Sequence, residues 1–401
     1  MLGLSLLGIV LCYVDRILIS IAAINMKADF NWTDTEKGIV LASFFWGYLI
    51  TQAFGGLLAR RFSGRMVFAL AVLSWSFFTI LTPTAAYTNS LFILVICRFL
   101  VGVGEGAAFP AVYTMIYRRM EVSKQSFAVG SLMSGSAIGT IIALLSVPTL
   151  IIYFGWAKVF YLFGSLGLVW AVFWFALVPK TIPEDDSLDP RELSPTPWKL
   201  FLTNKSALSV FFITTTWSIC SFTTVTWLPS YFVDTFDVSS QEAGLYSLVP
   251  FLSLLISPLW AGRYSAQLEE RGMDKLAIRK LLVYCGIFSG CFFLCTVAFV
   301  QSVFLAALLL FAAFLGFGVA QPGFAVMSKD LFPNSGEVMF GMTIASGSIF
   351  SSIAIALVGK ALDMTGSYTV MFLGIAFLNI IAVLYFHVFA SVDPLESRYE
   401  S

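Results

Sequence analysis

Charge is scarce in this chain, and histidine is almost absent. Asp, Glu, Lys and Arg make up 11% of the 401 residues, and the sequence has one histidine. A soluble globular protein carries about 25% charged residues, so this composition excludes that class. One histidine, and six cysteines with no Cys-X-X-Cys pair, give little material for a metal centre or a redox site. We therefore expect no metal and no cofactor, and expect the cysteines to pack.

What the chain has instead is apolar residues, which make up 59% of the sequence, with a mean hydropathy of +0.89. A helix needs about 20 apolar residues to cross roughly 30 Å of hydrocarbon, and about twelve stretches meet that requirement. The sequence therefore predicts an all-α membrane protein with twelve transmembrane helices. The predicted spans are residues 2–26, 37–59, 66–86, 91–116, 126–152, 159–178, 207–232, 243–261, 281–300, 303–326, 338–358 and 370–390.

The loops differ in charge, which predicts how the protein faces. Basic residues crowd the loops after the second, fourth and eighth predicted spans, whereas the loop after the seventh has acids and no cation. The basic set is Arg60, Arg61, Arg65, Arg118, Arg119, Lys124, Arg263, Arg271, Lys275, Arg279 and Lys280, and the acids are Asp234, Asp237 and Glu242. Positive loops stay inside, so both termini should face the cytoplasm or its plastid equivalent. The first span starts at the first residues, so any signal or transit peptide is missing or never existed, and the sequence leaves both plastid envelope and plasma membrane open.

The chain also divides into two similar halves. Its longest polar stretch, rich in proline and charge, follows the sixth predicted span. The segment LLARRFS at residues 57–63 after the second span has a counterpart, LWAGRYS at 259–265, after the eighth. This is the pattern of two parallel six-helix repeats. We predict pseudo-symmetric six-helix bundles at 1–178 and 207–390, a cytoplasmic-side linker at 179–206 and a tail at 391–401.

Four charged residues lie deep inside the predicted spans. Asp15 and Arg16 are adjacent in the first span, and Arg98 and Glu105 belong to the fourth. Each charge costs about 2.5 to 3.5 kcal/mol at a helix centre on insertion scales. These side chains should therefore face one another, water or a ligand, and we take them as the candidate site. The alternative is a buried ion-pair network that only fixes helix packing.

Helix geometry refines this expectation. Arg98 and Glu105 are seven residues apart, so they share nearly the same helix face, about 10 Å apart along the axis. Asp15 and Arg16 diverge by about 100° around the first helix and cannot neutralise each other. Each needs a partner elsewhere, and the fourth span offers one residue of each sign.

Small residues surround Glu105 in the sequence RFLVGVGEGAAFP. Gly102, Gly104 and Gly106 flank the carboxylate, and Pro110 follows one turn later. Glycines allow other helices to approach closely, and proline favours a bend. We expect close helix packing and a bent backbone near this charge.

Several motifs together resemble the anion:cation symporter family of the major facilitator superfamily. The family includes sodium-phosphate, vesicular glutamate, sialic acid and plastid anion carriers. The resemblance covers essentially all twelve spans and rests on the Asp-Arg pair, FFWGYLITQAFGG at 44–56, RFLVGVGEGAAFPA at 98–111, VFYLFGSLGLVW at 159–170 and TWLPSYF at 226–232. It implies alternating access by two six-helix halves, with an anionic substrate carried alongside protons or sodium.

The resemblance also implies roles for individual residues. The residues expected to bind substrate are Arg16, Arg98, Tyr13, Tyr48 and Gln321, and those expected to couple a cation are Asp15 and Glu105. Guanidinium groups offer forked donors to phosphate or carboxylate, which agrees with these roles. Met327 and Ile344 stand where plastid relatives tend to carry polar amides, which favours a small anion, either inorganic phosphate or an organic carboxylate.

Other functional classes fit the sequence less well. A membrane enzyme needs a histidine, metal or acidic constellation near a span end, and the sequence offers none. A channel needs charged or carbonyl rings around one pore, which this asymmetric set of charges does not supply. A transport-inactive sensor or a channel-like protein that keeps the carrier fold is the alternative. We expect a non-enzyme whose partners are a small anion and the lipid bilayer, with no nucleic acid, acting as a monomer.

Overall fold

The computed structural model describes residues 1–179, 197–333 and 335–395. Regular structure in this part of the chain is helical, and the helices follow one another along the chain. They are α1 (Leu2–Phe30), α2 (Asp34–Phe62), α3 (Gly64–Tyr87), α4 (Leu91–Gly106), α5 (Ala108–Arg119), α6 (Val122–Phe154), α7 (Trp156–Leu177), α8 (Trp198–Thr203), α9 (Lys205–Phe236), α10 (Ser240–Glu270), α11 (Lys275–Val297), α12 (Val303–Ala325), α13 (Met327–Leu331), α14 (Gly336–Thr365) and α15 (Thr369–Phe389).

Among the described residues, eleven helical segments are long and apolar enough to cross a membrane. Two of them join a pair of helices, α4 with α5 and α12 with α13. The remaining predicted span, 37–59, lies in the 29-residue helix α2. The predicted all-α membrane architecture is thus confirmed.

The connection between α1 and α2 is short because both helix ends are capped. Asn31 takes the left-handed conformation that ends α1, with φ of 53°. Thr33 then starts α2 with a capping box: its hydroxyl accepts from the Glu36 amide, and the Glu36 carboxylate accepts from the Thr33 amide. The tight turn places the first residues of α2 directly beside the end of α1.

The fourth predicted span is broken just after its buried acid. Helix α4 ends at Gly106 and α5 begins at Ala108, so Glu105 lies in the last turn of α4. Pro110 occupies the first turn of α5, where its missing amide hydrogen leaves no helical bond unmade. The helix is thus interrupted next to the charge, at the place where the sequence allows a bend.

Helices α2 and α4 pack with their backbones in contact. A Cβ atom on Gly102 would collide with the carbonyl oxygen of Phe44, and one on Gly47 would collide with that of Phe99. Only residues without a side chain permit this approach on both helices. The expected close packing around the α4 glycines is confirmed, and it places α2 against the charged face of α4.

The described chain forms two compact units. The first holds residues 1–179 together with Thr223–Leu245 and Ser351–Gly366, and the second holds residues 197–222, Tyr246–Phe350 and residues 367–395. The division into bundles at 1–178 and 207–390 stays a prediction. Most of the predicted linker, residues 180–196, and the end of the predicted tail, residues 396–401, lie outside the described residues.

Candidate functional site

All four charged residues singled out from the sequence are buried in the first compact unit. Asp15 and Arg16 lie near the middle of α1, and Arg98 and Glu105 lie on α4. Residues from α2 and α3 complete their surroundings. We call the resulting group the central cluster; it consists of Cys12, Tyr13, Asp15, Arg16, Phe44, Tyr48, Thr79, Arg98 and Glu105.

Arg16 and Glu105 form a buried ion pair between α1 and α4. Both Nε and Nη2 of Arg16 donate to the same carboxylate oxygen, Oε2, at 3.2 and 3.0 Å. The other oxygen, Oε1, is buried without a hydrogen-bond donor in the described part of the protein. Arg16 thus finds its opposite charge on the fourth span, as the sequence indicated.

Aromatic rings surround the Arg16 guanidinium. Its central carbon lies 4.6 Å from the ring centroids of Tyr13 and Tyr48 and 5.0 Å from that of Phe44. Such cation–π contacts strengthen when the cation is removed from water. Tyr13 and Tyr48, predicted to lie near the substrate, therefore contact Arg16 directly.

Asp15 does not pair with an arginine on α4, contrary to the expectation from sequence. Its Oδ2 atom accepts a hydrogen bond of 2.6 Å from the Thr79 hydroxyl on α3. No ion pair joins Asp15 to Arg98 within 4.0 Å in the described structure, although the two charges interact electrostatically. The second oxygen of Asp15, Oδ1, is buried without a donor in this part of the chain.

Arg98 is the unusual member of the central cluster. Its side chain is fully buried, yet Nε, Nη1 and Nη2 all lack a hydrogen-bond acceptor among the described residues. The Phe44 ring lies 5.9 Å from its guanidinium carbon. A guanidinium cannot shed its charge in a protein, so an unpaired one is costly to bury. The arrangement suits a bidentate anion, which would satisfy two of these donors at once.

Three members of the cluster, Cys12, Phe44 and Thr79, were not predicted as site residues. Cys12, expected only to pack, donates its thiol to Oε2 of Glu105 at 3.2 Å. The signal was its spacing, since Cys12 and Arg16 are four residues apart and share a face of α1. Thr79 carried no such signal, because one hydroxyl within an apolar span is common.

A small cavity of about 10 Å³ adjoins the cluster within the first unit. Its size is about that of one water molecule. Arg16 and Ser20 line it from α1, and residues of α2 and α9 close it; these are Leu41, Phe44, Phe45, Val225 and Thr226. The cavity places part of α9 beside the central cluster.

Gln321 is not part of this group. It lies half-buried on α12, in the second compact unit, directly before Pro322. Its predicted contact with substrate stays a prediction.

Comparison with known proteins places the fold in a family. Residues 4–273 match the Major Facilitator Superfamily. The chain belongs to this superfamily. Its relatives further place it in the anion:cation symporter family. As a member of the superfamily, it is a multi-pass integral membrane protein.

The relatives of this superfamily member are named as transporters. It is 31% identical to the chloroplastic ascorbate transporter of Arabidopsis thaliana, over 96% of the chain and 73% of the relative. It is 30% identical to the chloroplastic sodium-dependent phosphate transport protein 1 of the same plant, over 96% and 77%. It is also 30% identical to the voltage-gated purine nucleotide uniporter SLC17A9 of Mus musculus, over 98% and 90%.

A solved structure agrees on the fold. The crystal structure of a bacterial homolog to the human lysosomal transporter Spinster, in an inward-facing and occupied conformation, superposes with a TM-score of 0.79. The superposition covers 96% of this chain and 95% of the chain in that crystal structure, and the two sequences are 15% identical. At that identity the likeness concerns the fold alone, and it agrees with the predicted major facilitator architecture.

Proposed function

We propose that this protein is a secondary active transporter for a small anion, either inorganic phosphate or an organic carboxylate. It moves the anion by alternating access, coupled to protons or sodium. The observation that carries the proposal is Arg98, a buried guanidinium whose three nitrogens lack acceptors among the described residues. It belongs to the same cluster as Asp15 and Glu105, each of which keeps one carboxylate oxygen without a donor there. A charged group inside a membrane protein is a functional-site hypothesis by default, and here the fitting ligand is an anion.

The same arrangement suggests how cation coupling works. An anion that binds Arg98 and competes for Arg16 weakens the hold of Arg16 on Glu105. The released carboxylate then carries a charge in a low-dielectric setting, which is unfavourable until a proton or a sodium ion neutralises it. Anion and cation therefore favour the same loaded state, so their binding is linked and one gradient can drive the other.

The relatives support an anionic substrate but differ in how transport is driven. Ascorbate, phosphate and purine nucleotides are all anions, and one relative is named sodium-dependent while another is named a uniporter. A uniporter is therefore the second candidate. Two of these relatives are chloroplastic, which favours the plastid envelope as the compartment.

Transport by the purified protein in proteoliposomes tests the proposal. Phosphate and a panel of organic carboxylates are offered under imposed pH and sodium gradients, one gradient at a time. We expect uphill accumulation of at least one anion that requires one of the two gradients. Uptake that follows only the membrane potential would favour the uniporter, and absence of uptake for every anion would favour the sensor.

Arg98→Lys tests the observation itself. Lysine keeps the charge but loses the planar fork, so the apparent affinity for the transported anion should fall about tenfold or more. Melting in detergent reports whether the variant still folds. Unchanged affinity would make Arg98 a structural residue and would favour the packing-only reading of these charges.

A further inference from the structure

Lys37 is a buried cation that the central cluster does not use. It lies in the first turns of α2, and its side chain is 1% exposed, among the largest fully buried side chains of the described residues. Lys37 begins the predicted span 37–59, whose first end is predicted to face outward, and a lysine at such an end can reach water. In the structure it is sealed from solvent instead, so its ammonium group needs an explanation.

The contacts of Lys37 are weak for a buried ammonium group. Its Nζ atom donates to the Ser230 hydroxyl at 2.7 Å and lies 5.1 Å from the Trp227 ring centroid, both on α9. Within the described chain no carboxylate lies within 4.0 Å of it. The charges of Asp34, Asp234 and Lys27 act on it from longer range. One hydroxyl and one ring replace only part of the hydration of an ammonium ion.

Lys37 is sealed because α9 and α14 close on the start of α2 within the first unit. The Asp363 carboxylate on α14 accepts from the amides of Asp34 and Thr35, both at 2.8 Å, and from the Thr35 hydroxyl. On α9, the Trp227 indole donates to the carbonyl oxygen of Ile355 at 3.1 Å. We call these contacts the outer closure, since the loop before α2 is predicted to face away from the cytoplasm.

Lys37 also lies in line with the central cluster. Leu41, one turn further along α2, lines the small cavity beside Arg16. Lys37 therefore stands about 6 Å further out along the same helix. An anion that moves inward along this face of α2 would meet Lys37 before Arg16.

We propose that Lys37 is a second anion-binding residue, which takes phosphate or a carboxylate from the outer side when α9 and α14 separate from α2. This inference rests on the proposed function, since it concerns the path of the same substrate. An anion gives Lys37 a charged partner, which the Ser230 hydroxyl and the Trp227 ring do not. Because that partner fits only when the outer closure is open, an external anion favours the open state and is handed on to Arg16.

Side-resolved kinetics test the proposal. In sealed vesicles of known orientation, Lys37→Gln should raise the KM for phosphate offered from the outer side about tenfold or more. Lys27→Gln is the matched control, because it removes the same charge nearby from a partly exposed residue paired with Asp34 at 2.6 Å. Its effect should stay below about twofold. The proposal would be overturned if Lys37→Gln raised the KM equally for phosphate offered from either side, or did not raise it for phosphate offered from the outer side.

Accessibility supplies a readout that does not need transport. Leu228 is fully buried on α9, two residues before Ser230. External phosphate, at constant ionic strength, should speed labelling of Leu228→Cys by a membrane-impermeant thiol reagent, and Lys37→Gln should abolish that effect. The parent protein gives the background from the native cysteines. A labelling rate that does not change with phosphate would refute the role of Lys37. Phosphate-dependent labelling without any transport would refute the proposed function and leave this inference standing.

Discussion

Two arginines of the central cluster lie against the same phenylalanine ring but have opposite surroundings. Phe44 is 5.0 Å from the guanidinium of Arg16 and 5.9 Å from that of Arg98. Arg16 has a carboxylate partner and two further rings, whereas Arg98 has no acceptor for any of its nitrogens among the described residues. The fold therefore satisfies one buried charge and leaves the other unsatisfied.

This difference separates a structural role from a ligand-binding role. A buried pair with good geometry resists the loss of either partner, because the remaining charge is left alone. An unpaired buried charge lowers stability, and sites are often kept at such a cost because function needs it. In the structure Arg16 joins α1 to α4 through Glu105. Under the proposed function, Arg98 offers its donors to the entering anion first, and Arg16 contributes only once it leaves Glu105.

The largest expected effect is the difference in the free energy of unfolding between two matched substitutions, one at each arginine. Arg16→Met leaves Glu105 charged and unpaired, and should lower the free energy of unfolding by about 3 to 5 kcal/mol. Arg98→Met removes a charge that has no hydrogen-bond acceptor among the described residues and keeps much of the volume, but it also removes the electrostatic attraction to Asp15. The free energy of unfolding should therefore stay within about 1 kcal/mol of the parent or rise. Unfolding of both variants in detergent measures the difference.

Transport completes that comparison. Both variants should lose anion uptake. Arg16→Met should lose stability as well, whereas Arg98→Met should keep the stability of the parent protein. If Arg98→Met destabilised the protein as much as Arg16→Met, Arg98 would have a structural partner and the contrast between the two arginines would fail.

The next effect concerns Glu105, which pairs with Arg16 in the structure and is also proposed to couple a cation. Glu105→Gln keeps a hydrogen-bond acceptor for Arg16 but is permanently neutral. Exchange of labelled for unlabelled substrate should therefore persist, while uphill accumulation driven by a cation gradient should vanish. Counterflow and gradient-driven uptake are measured side by side in proteoliposomes, with Asp15→Asn as the companion variant. Uphill accumulation by both variants at the wild-type level would place coupling elsewhere.

The smallest expected effect comes from Thr79, which supplies the one hydrogen bond to the Asp15 carboxylate found among the described residues. Thr79→Val leaves the Asp15 carboxylate without that donor and should cost about 1 to 3 kcal/mol of unfolding free energy. Thr82→Val is the control on the same helix, because the Thr82 hydroxyl donates to the carbonyl oxygen of Phe78 within its own helix and has only a long 3.7 Å contact with the Cys97 thiol on α4, so its loss should cost clearly less. Equal costs for the two variants would mean that Asp15 does not depend on Thr79.

The sequence predicted the helices and the buried charges because both are local properties. Apolar length determines a span, and a charge within it must be accommodated wherever the span packs. The partners were harder to predict, since Thr79 is 64 residues from Asp15 and Cys12 is 93 from Glu105. Such pairs depend on which helix faces meet, and spacing along one helix does not determine that.

Lys37 shows a second limit of the sequence. Hydropathy placed it at the end of a predicted span, where lysine normally extends to the interface. The capped turn at Asn31 and Thr33 brings α2 close to α1, and α9 and α14 then cover the first turns of α2. Burial of this lysine follows from α9 and α14, two segments distant in the sequence, and no local pattern predicts their contact with α2.

Gly47 on α2 lies against the backbone of α4 at Phe99, and Gly102 on α4 lies against the backbone of α2 at Phe44, so this crossing gives α2 a pivot. With backbone against backbone and no side chains between them, the two helices cannot slide apart at this point without losing their closest packing. Lys37 lies ten residues away along α2, a lever arm of about 15 Å. A tilt of about 10° around the pivot moves Lys37 by roughly 2.6 Å, enough to separate it from Ser230. Residues next to the pivot, including Phe44 and its contacts with both arginines, hardly move in such a tilt.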